Sequence, residues 1–155
     1  MRALALRALL PLLILATLAT TLRADAPKTP EETLRAYLTA VKAGHFADAY
    51  DLVSKDMRQG KDKEAWVKEQ ESLMSFADVK IFSFHVYPGK IEGDSAQVPN
   101  VLESQDKLVN TLGLTEYELY TLVREDGRWK VDQQVLVEPP DVPKWFPKEA
   151  TQASG

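Results

Sequence analysis

The sequence predicts an α+β fold in which three N-terminal helices pack on a curved antiparallel sheet. Apolar residues follow helical spacing up to about residue 74, and from Val79 they alternate along the chain as in strands. An Asp-Gly pair at 126–127 separates two strand-like runs, which is a strong signal of a β-hairpin. With 155 residues, 45% hydrophobic and 27% charged, the chain suits one globular domain.

The first helix has a well-marked start and end. Thr29 is placed as the N-cap, Pro30 as the first helical residue, and Glu32 completes a capping box. Gly44 ends the helix because glycine accepts the left-handed conformation common at helix C-termini. The buried stripe is predicted to consist of Leu34, Tyr37, Leu38 and Val41.

A second amphipathic run begins immediately after Gly44, with Phe46, Ala49, Tyr50 and Val53 at the same spacing. Both stripes must face one core, so we expect the two segments to form a bent pair. The segment SKDMRQGKD is predicted to be a polar break. A third helix, KEAWVKEQESLM, is capped by Asp62, and its expected inner residues are Trp66, Leu73 and Met74.

The strands are predicted from residue alternation and turn residues. The first is VKIFSFHVY, with Phe82 and Phe84 on one face, and Pro88-Gly89 then turns the chain. The segment SAQVPNVLES is a weaker strand, and its proline at position 99 predicts an edge or a bulge. The segment DKLVNTLGLT fits a short helix or a loop insertion equally. The last two strands pair across Asp126-Gly127.

The two ends of the chain differ from the domain at 27–138. Residues 1–26 have two early arginines, a short apolar run and a final Ala-Asp-Ala, which predicts an export signal cleaved after Ala19 or Ala26. We therefore expect a periplasmic or secreted protein with no membrane association after cleavage. The alternative is an uncleaved membrane anchor, although the run is shorter than a bilayer needs and contains Pro11. Residues 139–155 form a proline-rich tail, predicted to be extended.

Composition excludes several classes of function. The chain has no cysteine, so it can hold neither a disulfide nor a thiolate metal site. The net charge is −4, and removing residues 1–26 takes away three arginines and one aspartate, which leaves about −6. An acidic surface disfavours nucleic acid. No motif for a metal or a phosphate cofactor occurs, so we expect no cofactor.

The segments TPEETLRAYLTAVKAGHFADAYDLVS and DGRWKVD resemble the nuclear transport factor 2-like superfamily, and in particular its exported bacterial members of unknown function. The resemblance spans roughly residues 30–134. It implies a cone-shaped α+β fold whose bent helix pair closes over the concave side of the sheet. By this resemblance, seven aromatic residues are candidates for the cavity, although each also fits simple core packing: Tyr37, Tyr50, Trp66, Phe84, Tyr117, Tyr120 and Trp129.

Two hypotheses of function follow. The first is a non-catalytic module that binds a small apolar ligand or a protein, either alone or as a homodimer, with a tail that folds back or docks into a neighbour. The second is an isomerase, dehydratase or cyclase acting on a small hydrophobic substrate with His85 or Asp132 as general base. His45 is expected to be exposed or to cap the second helix. We favour the binding module because the sequence contains no complete catalytic set.

Overall fold

The computed structural model describes residues 26–147, and predictions that fall on residues 1–25 and 148–155 lie outside them. The helices come first: α1 Pro30–Ala43, α2 Phe46–Leu52, α3 Lys55–Arg58 and α4 Lys63–Ala77. Five strands follow: β1 Lys80–Val86, β2 Lys90–Glu92, β3 Ser95–Gln105, β4 Thr115–Glu125 and β5 Arg128–Leu136. All pairs are antiparallel, in the order β1-β3-β4-β5, with β2 also paired to β3. The predicted α+β class is confirmed.

The bent helix pair forms as the sequence predicts. The Glu32 amide donates to Oγ1 of Thr29 at 3.1 Å, and the Thr29 amide donates to the Glu32 carboxylate at 3.2 Å, which completes the capping box. Gly44 has a φ of 73°, and α2 begins two residues later. The left-handed glycine thus turns the chain so that both apolar stripes reach one core.

The helix count differs from the prediction. Ser54 accepts a hydrogen bond from the Met57 amide at 3.0 Å and caps the one-turn helix α3 inside the predicted polar break. Asp62 caps α4 as expected, and Trp66 is buried. Leu73 is wrongly predicted as an inner residue, since 56% of it is exposed. The reason is length, because α4 has 15 residues and packs against α2, which has only seven.

A bulge in β1 changes which phenylalanine reaches the core. The register with β3 shifts between Ile81 and Ser83, so Phe82 has no partner on β3. Phe84 then packs against the core, whereas Phe82 is 53% exposed. Only one of the two rings that the sequence places on one face of the strand therefore reaches the core.

Pro99 lies neither in an edge strand nor at a bulge, in contrast to the prediction. β3 has β1 and β2 on one side and β4 on the other, and Pro99 pairs with Leu119 of β4. The Pro99 carbonyl accepts from the Tyr87 amide at 2.9 Å, just after β1 ends. Its nitrogen faces the same side, where the turn between β1 and β2 passes, so no ladder hydrogen bond is lost.

The β4–β5 hairpin confirms the turn prediction. Asp126 and Gly127 have φ of 51° and 74°, the two positive values of a type I′ turn, and Glu125 pairs with Arg128. The side chains of the sheet then separate into two faces. The inner face, towards α1 and α2, carries Val98, Tyr120, Leu122 and Val131, which belong to the buried core. The opposite side is called the back face below.

Residues 139–147 of the tail fold back onto the back face instead of extending away. Residues Pro139–Asp141 form a 3-10 turn, and α5 covers Val142–Trp145. Phe146 is fully buried, with its ring 5.4 Å from that of Tyr87 and 5.0 Å from that of Tyr117. The prolines are tolerated because they occupy the first positions of short helices, where an amide is not needed. Across residues 26–147, no helix combines the length and apolar character that membrane crossing requires.

Candidate functional site

The conformation of the loop between β3 and β4 is fixed by hydrogen bonds from its own polar side chains. The carboxylate of Asp106 accepts hydrogen bonds from the amides of Leu108 at 2.6 Å, Val109 at 2.7 Å and Asn110 at 3.1 Å. These backbone hydrogen bonds hold the pKa of Asp106 below its usual value. Asn110 bonds the carbonyls of Ser104 and Leu114 through its amide group. The sequence is compatible with either a short helix or a loop in this segment, and the structure shows a loop.

This ordered loop presents apolar side chains to solvent. Val109 is 83% exposed and Leu112 is 81% exposed, and Leu136 at the end of β5 is 56% exposed. We call this set the apolar rim: Leu108, Val109, Leu112, Leu114 and Leu136. Adjacent exposed side chains of this size indicate a contact surface, whereas single ones are common on any protein.

An open groove of about 590 Å³ runs between the loop, the start of β4, the end of β5 and the tail. Its apolar walls include Val109, Leu114 and Leu136 of the rim and Val142 of α5. The volume falls in the range of small-molecule sites. The carboxylates of Glu116 and Glu138 also line it, so the groove suits a neutral or cationic apolar group better than an anion.

A group of hydrogen-bonded polar side chains lies on the inner face of the sheet. Glu118 is 1% exposed, and it accepts a hydrogen bond from Nδ2 of Asn100 at 2.8 Å and another from Nε2 of Gln134. The Tyr120 hydroxyl is a further hydrogen-bond partner. We call Asn100, Glu118, Tyr120 and Gln134 the buried polar cluster. Gln134 is itself exposed, so the cluster extends from the core to the protein surface.

Burial dominates the electrostatics of this cluster. It raises the pKa of Glu118 to about 7, and the nearby Glu116 carboxylate acts in the same direction. Within the described residues, Oδ1 of Asn100 is buried without a hydrogen-bond partner. The hydrogen bonds with Asn100, Tyr120 and Gln134 act in the opposite direction, because they stabilise the ionised carboxylate. Burial, and secondarily Glu118, also raises the pKa of Tyr37 to about 12.

The two candidate bases predicted from the sequence are not part of this cluster. His85 is exposed on the back face, with its ring 4.6 Å from that of Tyr87. Asp132 occupies an irregularity in β5 and accepts a hydrogen bond from Oγ of Ser54 at 2.6 Å. The Ser54 amide donates to the Val131 carbonyl at 2.8 Å, which makes the contact a structural tie between α3 and β5. His45 is exposed, and its side chain does not cap α2.

Six of the seven predicted aromatic residues belong to one core or pack against it, and Tyr117 lies apart from them. Tyr37 and Tyr120 meet inside the core with ring centroids 6.5 Å apart, and Tyr50 meets Trp66 at 5.8 Å beneath the helices. Tyr117 lies on the back face against the tail. The other two pack within the sheet, with Trp129 4% exposed and Phe84 against the core. Their assignment to a ligand cavity stays a prediction.

Two parts of the site were missed from the sequence. In EYELYTLV apolar residues fall on both faces of the strand, and Glu118 and Tyr120 lie on the inner one. The only available signal was a glutamate directly between Tyr117 and Leu119. The groove could have been found from the leucines and valine crowded into KLVNTLGL. Among residues 26–147, no cluster of three metal-ligating side chains occurs.

Helices over one face of a curved antiparallel sheet, with a groove at its open end, define a small α+β protein of the cone type. The chain is similar to a SEC-C motif containing protein from Rhodopseudomonas palustris, with 14% identity over 74% of this chain and 83% of that one, and a TM-score of 0.58. It is also similar to two NTF2-like proteins from Cytophaga hutchinsonii. One, described as of unknown function, has 13% identity over 75% of this chain and 96% of that one, with a TM-score of 0.44. The other has 18% identity over 68% of this chain and 93% of that one, with a TM-score of 0.46.

No protein-family model matches the chain, and the comparison with curated proteins gives no match. At identities this low, similarity to a solved structure shows the fold alone. The architecture agrees with the α+β cone that the sequence predicts, because Gly44 bends a helix pair onto a curved antiparallel sheet.

Proposed function

We propose that this protein is an exported, non-catalytic module that binds a small apolar ligand in the groove beside the apolar rim. The observation that carries the proposal is the coincidence of a groove of about 590 Å³ with exposed leucine and valine side chains on a loop fixed by its own hydrogen bonds. Covering such side chains favours binding by roughly 25 cal/mol per Å² of apolar surface. A preformed loop avoids much of the entropy cost of ordering.

The two acidic side chains of the groove narrow the ligand class. Glu116 and Glu138 would repel a carboxylate or phosphate head group, so we expect a neutral apolar molecule, such as an uncharged acyl or aromatic compound. A second copy of the chain could cover the same leucines. In that case, native mass spectrometry of the purified protein would give a dimer without a retained small molecule.

The test uses the neutral fluorophore N-phenyl-1-naphthylamine as the probe. We expect saturable binding to one site, and about tenfold weaker binding to the Leu114→Gln/Leu136→Gln variant, since several buried methylene contacts are lost. The control is Leu73→Gln, because Leu73 has the same 56% exposure as Leu136 but lies on α4 outside the groove. Equal affinity for all three proteins would refute the groove as the site.

Export is a separate part of the proposal, supported by the pattern of residues 1–26. Expression of the full chain in a bacterial host, followed by fractionation and mass spectrometry, should recover a periplasmic protein that begins at residue 20 or 27. A chain that keeps Met1 and requires detergent would instead support the membrane-anchored alternative.

The buried polar cluster favours a second candidate function, an isomerase-, dehydratase- or cyclase-type enzyme. A carboxyl with a pKa of about 7 can both accept and donate a proton at neutral pH, and Glu118 would act as the base once Gln134 moved aside. Molecules retained by the wild-type protein and by Glu118→Gln during purification can be compared by mass spectrometry. Identical molecules support the binding module, whereas a different molecule held by the variant supports an enzyme.

A further inference from the structure

We propose a second binding site, between the tail and the back face of the sheet, for a small anion with a flat apolar body. A cavity of about 440 Å³ lies there, which we call the tail pocket. Its walls include Tyr87, Pro99 and Trp145, and its rim includes His85, Lys90 and Lys144. The tail pocket shares no lining residue with the groove of the proposed function, so each can be tested alone.

Flat rings form the walls of the tail pocket. Pro99 is buried in β3 and Trp145 of α5 is half-buried. Phe146, the next residue, is fully buried against Tyr87 and Tyr117, which fixes α5 over the sheet and holds the Trp145 ring at the pocket. An aromatic or other planar ligand would therefore find stacking surfaces that are already in place.

The charge of the rim favours an anion. Nζ of Lys90 lies 4.9 Å from the centroid of the Trp145 ring, and Nζ of Lys144 lies 5.2 Å from it. Within residues 26–147, neither lysine takes part in an ion pair and no aspartate or glutamate lines the pocket. The pocket therefore has a locally positive rim on a chain whose net charge is −4. Charge complementarity points to a carboxylate or a similar anionic group.

The apolar walls and the cationic rim together define the ligand class. A bare phosphate or sulfate would leave the ring surfaces uncovered, whereas a neutral aromatic would leave both ammonium groups without an anionic partner. An aryl carboxylate satisfies both, with its ring against Trp145 and its carboxylate at Lys90 and Lys144. The same anion is disfavoured in the groove, where Glu116 and Glu138 lie.

The probe is 1-naphthoate, titrated by isothermal calorimetry against the mature chain, with 1-naphthalenemethanol as its neutral counterpart. We expect one saturable site for the carboxylate and clearly weaker binding of the alcohol. In the Lys90→Gln/Lys144→Gln variant, naphthoate affinity should fall about tenfold, because two ammonium contacts are lost. Raising the salt concentration should reduce the wild-type affinity as well.

The control is Lys63→Gln/Lys107→Gln, which removes the same charge. Each of these lysines also lies over an aromatic ring, at 5.8 Å from Tyr50 and 5.3 Å from Phe76, but far from the tail pocket. Equal losses in both double variants would overturn the proposal, as would the absence of saturable binding. Phe146→Ala, checked for a folded core by circular dichroism, should also abolish naphthoate binding, and unchanged binding there would overturn the role of the tail.

Discussion

The inner and back faces of the sheet are covered in different ways. The inner face packs against α1 and α2 over its buried core, and it also encloses a carboxyl at Glu118. The back face is covered by a short tail that is fixed through one fully buried ring, Phe146. The helices bury the core residues of the inner face, whereas the tail leaves a pocket at the edge of its contact with the back face. We therefore expect substitutions on the inner face to lower the free energy of unfolding more than substitutions on the back face, and the back face to rearrange more easily.

Trp129→Ala should give the largest effect, because it opens the inner face. Trp129 is 4% exposed, and the Arg124 guanidinium lies 4.7 Å from its ring centroid. Removing a buried tryptophan leaves a cavity and costs about 3–5 kcal/mol of unfolding free energy. Urea denaturation followed by circular dichroism measures the loss. An unchanged midpoint would show that the ring does not support the core.

Glu118→Gln should change the pH dependence of stability. Burial raises the pKa of Glu118 from about 4.5 to about 7, so the folded protein holds this proton more tightly than the unfolded chain. The resulting stability is fully present below pH 4.5 and is lost as the pH rises through 7. Each unit of pKa corresponds to about 1.4 kcal/mol, so the loss amounts to about 3 kcal/mol.

Urea denaturation at pH 5 and pH 8 measures this effect. The wild type should lose stability between the two values relative to Glu118→Gln, whose amide does not titrate. Glu103→Gln is the matched control, since Glu103 is an exposed carboxylate on the back face of β3. A wild type and a Glu118→Gln variant with parallel pH profiles would contradict the assignment of a raised pKa.

Phe146→Ala should give the smallest loss of global stability, because the tail can detach without opening the core. We expect about 1–2 kcal/mol, below the usual cost for a core phenylalanine, since the site can rearrange. Hydrogen exchange should show faster exchange at residues 142–146 and unchanged protection in β3 and β4. Two results would contradict the comparison of the two faces. One is hydrogen exchange in residues 142–146 that is no faster than in the wild type, and the other is a loss of unfolding free energy as large as that of Trp129→Ala.

Features with local chemistry were predicted correctly from the sequence. The capping box at Thr29, the left-handed Gly44 and the Asp126-Gly127 turn each depend on a few neighbouring residues, and each forms as expected. Together they fix the helix pair and the hairpin, and hence most of the fold. This success follows because capping and turn preferences act within about four residues.

Features that depend on distant contacts were not predictable in the same way. Alternation in β4 places apolar residues on both faces, so it could not show that Glu118 points inward. The bulge at Phe82 depends on the register with β3, and the position of Phe146 depends on rings from two strands. The groove and the tail pocket are both built from such contacts, which is why sequence reasoning found aromatic residues but not the sites.

The hydrogen bonds between Ser54 and β5 affect whether another molecule can add a strand to the sheet. β5 is the outermost strand, and its free edge could template strand addition from another molecule. Val53 bridges to Val131, and the Ser54 amide donates to the Val131 carbonyl, so this edge is already paired internally at Val131. We therefore expect a concentrated solution to resist strand addition at that point of the edge.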